Sequence, residues 1–470
     1  MKRNLVALCG LALCGALGGA RCGAQAPGFV PLEAKIYDPC LGTYEMSGGE
    51  LIVISRSARR LYAYQPGTES FRGLERRTQD EWIAGPSSHI YSPVEREFLF
   101  VRGEDGAVKE LRMKEGAAER LAQKAARYNE ESVTLNNGRI TLAGTLLTPS
   151  AKGPHPAIVI GHGSGPQDRN GHVSYIRLLA DNFARHGIAV LTYDKRGVGA
   201  SSGNWAQASF ADLADDLLAA VRFLKQRDDI DSKKVGVGGS SQAGWIISKA
   251  IEKSNDLAFV ITISAGGSGL TAAQQNLYNT ETEMRVAGIP ETEIKDTITA
   301  LNALYEFVRT GTGAKEMDDA IKRAQRTVAA RDWLPPLSRE IDRSKPNHWF
   351  TALEIDFDPA PAWAKFSGPV LAIFGELDTS TPTRQVIPVL EKALASRPNS
   401  DHTIKVFPKA HHLILEAETG SDEELPRLKR FVPGFFDTMT DWLKARVQPG
   451  ATSSLIPSQI HSTHEPTQAT

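Results

Sequence analysis

The sequence predicts an α/β protein: a doubly wound, mostly parallel sheet with a helical cap insertion, preceded by a small antiparallel β module. Two changes of pattern carry that reading. From residue 131 onward apolar runs alternate with amphipathic helical stretches, as in strands joined by crossover helices. Before it, from 28 to 115, short apolar strands are broken by turns. The chain of 470 residues is also longer than a single core usually fills. Four segments follow: a leader at 1–26, the β-rich module and linker at 27–129, the α/β domain at 130–447 with its insertion at 267–367, and a tail at 448–470.

The leader reads as a secretory signal peptide. Lys2 and Arg3 precede an apolar stretch over 5–17, and small residues follow at Ala24 and Ala26, the two expected cleavage points; Pro27 disfavours the second. The stretch is shorter than the roughly 20 apolar residues of a spanning helix, and an uncleaved N-terminal anchor is the competing reading. A lipoprotein is poorly supported, because the bulky, charged Arg21 precedes Cys22. A periplasmic or secreted protein with no stable membrane span is therefore expected. Cys9, Cys14 and Cys22 leave with the leader, so Cys40 stands alone, forms no intramolecular disulfide and is read as a buried thiol. With 54 Lys plus Arg against 55 Asp plus Glu, the formal charge of −1 excludes the basic field that tracks nucleic-acid phosphates. A small molecule, uncharged overall, is the expected partner.

In the module, strands are expected over 50–55, 60–65, 97–102 and 108–113, with Asp105-Gly106 turning the last pair into a hairpin. Residues 116–129 are read as a helical linker. In the α/β domain, 157–160 is a continuous apolar run of the kind buried on both faces. Ile176, Leu179, Ala180, Phe183 and Ala184 follow at helical spacing, closed by Gly187. A strand at 188–193 and a helix through Phe210, Leu213, Leu217, Val221 and Leu224 come next. Further strands are expected at 234–237, 259–264, 370–374 and 403–407. Between 267 and 367 the alternation stops: the segment is polar and helix-prone, which marks an insertion able to form a lid. The tail is rich in Ser, Thr, Pro and Gln and is expected to stay disordered.

The sharpest chemical signal is Gly238-Gly239-Ser240-Ser241-Gln242-Ala243-Gly244, between the strand at 234–237 and a helix beginning near Trp245. A serine on a tight strand-to-helix turn needs small neighbours so that strand and helix can approach beneath it. Gly239, Ala243 and Gly244 are those neighbours, which favours Ser241 over Ser240; a Gly/Ser-rich loop without catalysis is the competing reading. A serine hydroxyl is a weak nucleophile until a base takes its proton, so an acid and then a histidine should follow in the chain. Asp378 ends Gly375-Glu376-Leu377-Asp378 after one strand, with Glu376 as alternative. His412 in Pro408-Lys409-Ala410-His411-His412 follows the last strand, with His411 as alternative. Paired histidines without a third ligand at metal spacing do not make a metal site, and neither metal nor cofactor is called for. Gly161-His162-Gly163-Ser164-Gly165 sits where an oxyanion hole would form, with the backbone N–H groups of Ser164 and Gln242 as donors. Its alternative, a phosphate cradle, lacks the Lys-Ser or Lys-Thr that should follow. Tyr193-Asp194-Lys195-Arg196-Gly197 is read as an internal ion pair that stabilises its loop.

These motifs resemble the bacterial α/β-hydrolase esterases of the EstD-like group, relatives of the prolyl-oligopeptidase and aminopeptidase-like serine peptidases. The resemblance spans about 131–447. It rests on His162-Gly163-Ser164-Gly165-Pro166 with Asp168-Arg169, on Tyr193-Asp194-Lys195-Arg196-Gly197-Val198-Gly199 with Ser201, on the run from Gly239 to Gly244, on Gly375 to Asp378, and on Ala410 to His412. It implies a triad at Ser241, Asp378 and His412, a β-rich N-terminal extension, a helical cap before the acid-bearing strand, and hydrolysis of short acyl esters. Ala243 and Lys409 depart locally from the group's pattern. A serine peptidase, a thioester hydrolase using the same triad, and a catalytically silent binding protein are the competing functions.

Overall fold

The computed structural model describes residues 32–57, 60–327, 333–334, 338, 354–397 and 400–447. The leader with Cys9, Cys14 and Cys22, the tail at 448–470 and part of the 267–367 insertion lie outside the described residues.

The short helix α1 (Ala34–Tyr37) opens the module, which is one nine-stranded antiparallel sheet. Its strands are β1 (Gly42–Met46), β2 (Leu51–Arg56), β3 (Leu61–Gln65), β4 (Ser70–Gly73), β5 (Glu75–Arg76), β6 (Glu81–Ala84), β7 (Arg96–Arg102), β8 (Val108–Glu115) and β9 (Ala118–Lys124). They lie in the order β4-β3-β2-β1-β9-β8-β7-β6-β5. The two ends of that order, β4 and β5, are joined by the single residue Leu74, so the sheet curls round until its ends meet. Strand alternation sorts the side chains. Tyr44, Met46, Ile52, Ile54, Leu61, Trp82, Phe98, Phe100, Leu111 and Met113 fill the inside, beside buried Cys40. Residues 116–129 are not helical: Gly116 turns at φ +60°, and β9 pairs with β8 on one side and β1 on the other. Six residue pairs with β8 and closure against β1 override the helical propensity of Ala117, Leu121 and Ala122.

The second sheet has eight strands: β10 (Tyr128–Asn137), β11 (Ile140–Pro149), β12 (His155–Gly161), β13 (Ala189–Tyr193), β14 (Ile230–Ser240), β15 (Val260–Ile263), β16 (Val370–Gly375) and β17 (His402–Phe407). Their order is β10-β11-β13-β12-β14-β15-β16-β17. The first hairpin is antiparallel, and from β13 to β17 every pair is parallel. Along each inner strand alternate residues enter different cores, as burial on both faces requires. Ala157 and Val159 face α3 (Phe210–Lys225) and α4 (Ala243–Lys253), while Ile158 and Ile160 face α2 (Tyr175–Arg185) and α10 (Phe435–Val447). The insertion carries α5 (Ala272–Val286), α6 (Glu291–Thr310), α7 (Ala314–Ala324) and α8 (Ala360–Lys365); α9 (Thr383–Ala395) follows β16.

The module docks through its outer face. Val53, Tyr62, Tyr64 and Phe71 join the core that contains Tyr175, Phe431, Phe435 and Phe436. Its edge strand β4 is continued by backbone of the α/β domain: Phe71 N–H donates to Lys429 O at 2.8 Å, and Phe431 N–H to Glu69 O at 3.0 Å. The same segment holds the loop beyond β17, since Glu416 N–H donates to Arg430 O and Val432 N–H to Ile414 O.

Candidate active site

The chain order reverses across the sheet at β12: the connection to β13 runs one way, and β14 lies on the other side. In open α/β sheets the crevice at such a point, beyond the carboxyl ends of the strands, is where ligands bind. The loops leaving β12 and β14 meet there. Gly161 pairs in register with Gly239, two residues before Ser241.

Ser241 stands at φ +56°, the left-handed region that a non-glycine residue enters only under constraint, whereas Ser240 is the last residue of β14 and pairs with Ile263. The constraint is visible. Ser241 N–H donates to Ile263 O, and Ser241 O accepts from the N–H groups of Gly244 and Gly266. A Cβ on Gly244 would lie 1.8 Å from Gly266 O, and one on Gly239 would lie 2.5 Å from the Ala243 methyl. Ala243 thus fits because Gly239 leaves it room.

Asp378 follows β16 and its side chain is fully buried. Its Oδ1 accepts from the N–H groups of Ser380 and Thr381 at 2.9 and 2.8 Å, and both carboxylate oxygens lie 2.9 Å from His412 Nδ1. That bond fixes the ring so that Nε2 is the nitrogen left for a reacting group. Burial lowers the pKa of His412, but the charge and hydrogen bond of Asp378, with Asp422 and Glu283 behind it, outweigh burial and leave it raised. Neither alternative reaches this pair. Glu376 accepts from Lys409 N–H, and His411 is buried with Nδ1 accepting from Leu413 N–H and Nε2 turned toward Asp422 at 3.5 Å. Among the described residues no hydrogen bond joins Ser241 to His412, so acid and histidine are paired while the serine contact is open; such contacts tighten with substrate bound.

The loop after β12 lies against the serine. A Cβ on Gly163 would sit 3.5 Å from Ser241 Cβ. Among the described residues neither Ser164 N–H nor Gln242 N–H donates to another group. Gln167 Nε2 donates to Ser164 O, and His162, made neutral by burial and then by Lys195, is pushed down to about 3. The internal ion pair read into residues 193–197 is corrected: Asp194 pairs with Arg169 at 2.8 Å and Arg196 with Asp216 at 2.7 Å, both outside the run. Asp194 is drawn to Arg169 rather than to its chain neighbour Lys195, whose ammonium turns to the loop after β12 and to Gln242.

Sequence reasoning missed what the insertion contributes. Gln275, Asn279 and Glu283 fall at four-residue spacing on one face of α5. The first two donate to Ser380 O in the acid loop, both at 3.2 Å. Glu283 lies near His412; burial first, then Asp422, pushes its pKa up to about 8, while a hydrogen bond from Trp333 and the nearby His412 pull the other way. The i, i+4 polar stripe in a helix was the available signal. Among the described residues no cluster of His, Cys, Asp and Glu is arranged to hold a metal ion.

A strained serine, a carboxylate-oriented imidazole and two unspent amides are the parts of acyl transfer. The chain is 25% identical to Esterase EstD of Thermotoga maritima over 294 residues, 62% of this chain and 61% of EstD, so it spans less than two thirds of that relative. It is 23% identical to the quorum-quenching protein AidA of Acinetobacter baumannii over 308 residues, 64% of this chain and 95% of AidA. The alpha/beta hydrolase GrgF from Penicillium sp. sh18 aligns with a TM-score of 0.41 and 19% identity, over 68% of this chain and 98% of GrgF. Residues 157–423, more than half of the chain, match the family described as "Alpha/beta hydrolase family", and the chain belongs to that family.

Proposed function

We propose that this protein is an exported serine hydrolase that cleaves carboxylic esters with short acyl groups through an acyl-enzyme on Ser241. The observation that carries the reading is the 2.9 Å pairing of His412 Nδ1 with buried Asp378, two strands along from a serine held at φ +56°. In this scheme His412 Nε2 takes the Ser241 proton as Oγ attacks the acyl carbon, and the carbonyl oxygen gathers charge facing the N–H groups of Ser164 and Gln242. The tetrahedral intermediate collapses with the proton passing from His412 to the leaving alkoxide, which departs as alcohol. Water repeats the sequence on the acyl-enzyme, releasing the carboxylic acid and restoring Ser241. Similarity to a protein named as an esterase supports the ester as the bond cleaved. Export rests on Lys2, Arg3 and the apolar stretch at 5–17, and no helix among the described residues is long and apolar enough to cross a membrane.

The wild-type chain should be labelled by a fluorophosphonate and should hydrolyse p-nitrophenyl acetate; Ser241→Ala should lose both, with turnover falling on the order of 10⁶-fold, while Ser240→Ala keeps them. A folded wild type that neither labels nor turns over would end the proposal.

One observation favours a second reading. The Glu283 carboxyl, carried by the insertion and close to His412, is held neutral by burial and would ionise on pairing with the ammonium of an aminoacyl substrate. An aminopeptidase-like enzyme would cleave aminoacyl-naphthylamides in preference to p-nitrophenyl acetate and would lose that preference on Glu283→Gln.

A further inference from the structure

Lys195 is a buried charge that the acyl-transfer scheme leaves unused. It follows β13, is only 2% exposed, and its chain neighbours Asp194 and Arg196 are paired with other residues. Its ammonium spends its three N–H groups on three oxygens: Gly163 O at 2.6 Å, Gly165 O at 2.9 Å and Gln242 Oε1 at 3.2 Å. Two of these flank Ser164, and the third belongs to the residue after Ser241.

The Gly163 contact has a geometric consequence. Gly163 C=O and Ser164 N–H are the two ends of one planar trans peptide, so they point in opposite directions. A cation seated on the oxygen therefore aims the N–H away from itself. It also draws electron density toward the carbonyl, which makes that N–H a stronger donor. The third contact ties this peptide to the elbow that supplies the other amide. A tie between two loops needs no charge, and among the described residues no carboxylate pairs with this ammonium, so its burial is costly and pushes its pKa down to about 7.

We propose that Lys195 is a positioning residue for the oxyanion site, holding the Gly163–Ser164 peptide so that Ser164 N–H faces the developing charge and locking it to Gln242. The inference rests on the serine-hydrolase reading and adds to it a residue outside the triad.

The test uses the full chain carrying Lys195→Met, Lys195→Arg or Gln242→Met, the last removing the side-chain acceptor and keeping the backbone amide. On p-nitrophenyl acetate, Lys195→Met should lower kcat about 10²-fold with KM within about threefold of wild type. Affinity for a trifluoromethyl ketone, whose hemiketal oxygen mimics the intermediate, should fall in parallel. Lys195→Arg should recover part of the loss, and Gln242→Met should show about a tenfold fall in kcat. A folded Lys195→Met enzyme with unchanged kcat, or with the loss confined to KM, overturns the inference while leaving the hydrolase reading intact. If Lys195→Met does not fold, an unchanged kcat in Gln242→Met overturns it. A wild type without ester turnover overturns both readings together.

Discussion

His412 must be neutral to take a proton from a hydroxyl, and its carboxylate surroundings favour the charged ring. Asp378 is needed for orientation, but Asp422 adds negative charge without touching Nδ1. With a raised pKa the neutral fraction grows only above the usual histidine range, so kcat/KM should climb with pH through a midpoint above about 6.5. Asp422→Asn removes one of the charges that hold the ring protonated, and its midpoint should move to lower pH in a full pH–rate profile. An unmoved or upward-shifted midpoint would show that Asp422 does not act on the ring. At this scale the sequence was most readable. Ser241, Asp378 and His412 announce themselves by small neighbours and by their places after strands. Glu283 and Asp422 do not: the polar stripe of α5 marks a face without saying what it meets, and Asp422 is brought to the ring by a loop folding back, which leaves no local pattern.

The elbow shows how an element sets a residue. α4 and the loop after β15 approach so closely that Gly244 has no room for a methyl group against Gly266 O. Gly244→Ala should destabilise by roughly 1–3 kcal/mol, as overpacking does, and should lower the melting temperature together with turnover, because the same backbone holds Ser241 at its positive φ. Thermal unfolding and acetate-ester kinetics on the one variant check both. Parallel strands were legible as apolar runs because both their faces are buried. Strands β9 and β10 were not, since much of their surface is exposed and carries charged residues, and β9 is completed by β1 from the start of the module. Helix α5 was legible as a helix, but its grip on Ser380 depends on tertiary docking.

Across the whole molecule, the module is built into the domain rather than tethered to it. Thr43 Oγ1 donates to Asp181 in a buried contact, Ser87 and Ser88 donate to Pro426 O and Leu425 O, and Tyr64, Phe71, Phe431 and Phe436 form one aromatic cluster. Phe431→Ala should cost about 3–5 kcal/mol, and module and α/β domain should still unfold in a single transition by calorimetry; two separated transitions would show that they are independent. The sequence displayed a β-rich segment here but not its role, which rests on contacts between its outer face and residues hundreds of positions away. The covered edge of β4 also has a bearing on biogenesis. Arg72 and the Lys429 carbonyl it meets are 357 residues apart, so most of the chain is made before that partner exists. Until then β4 is an open template of the kind that recruits stray strands, and a half-made chain is most exposed to mispairing there. Pulse-labelled hydrogen exchange during refolding should find the Phe71 amide protected only after the amides shared by β1 and β2; protection at the same time as theirs would mean that the gap is filled by something other than the chain's own last segment.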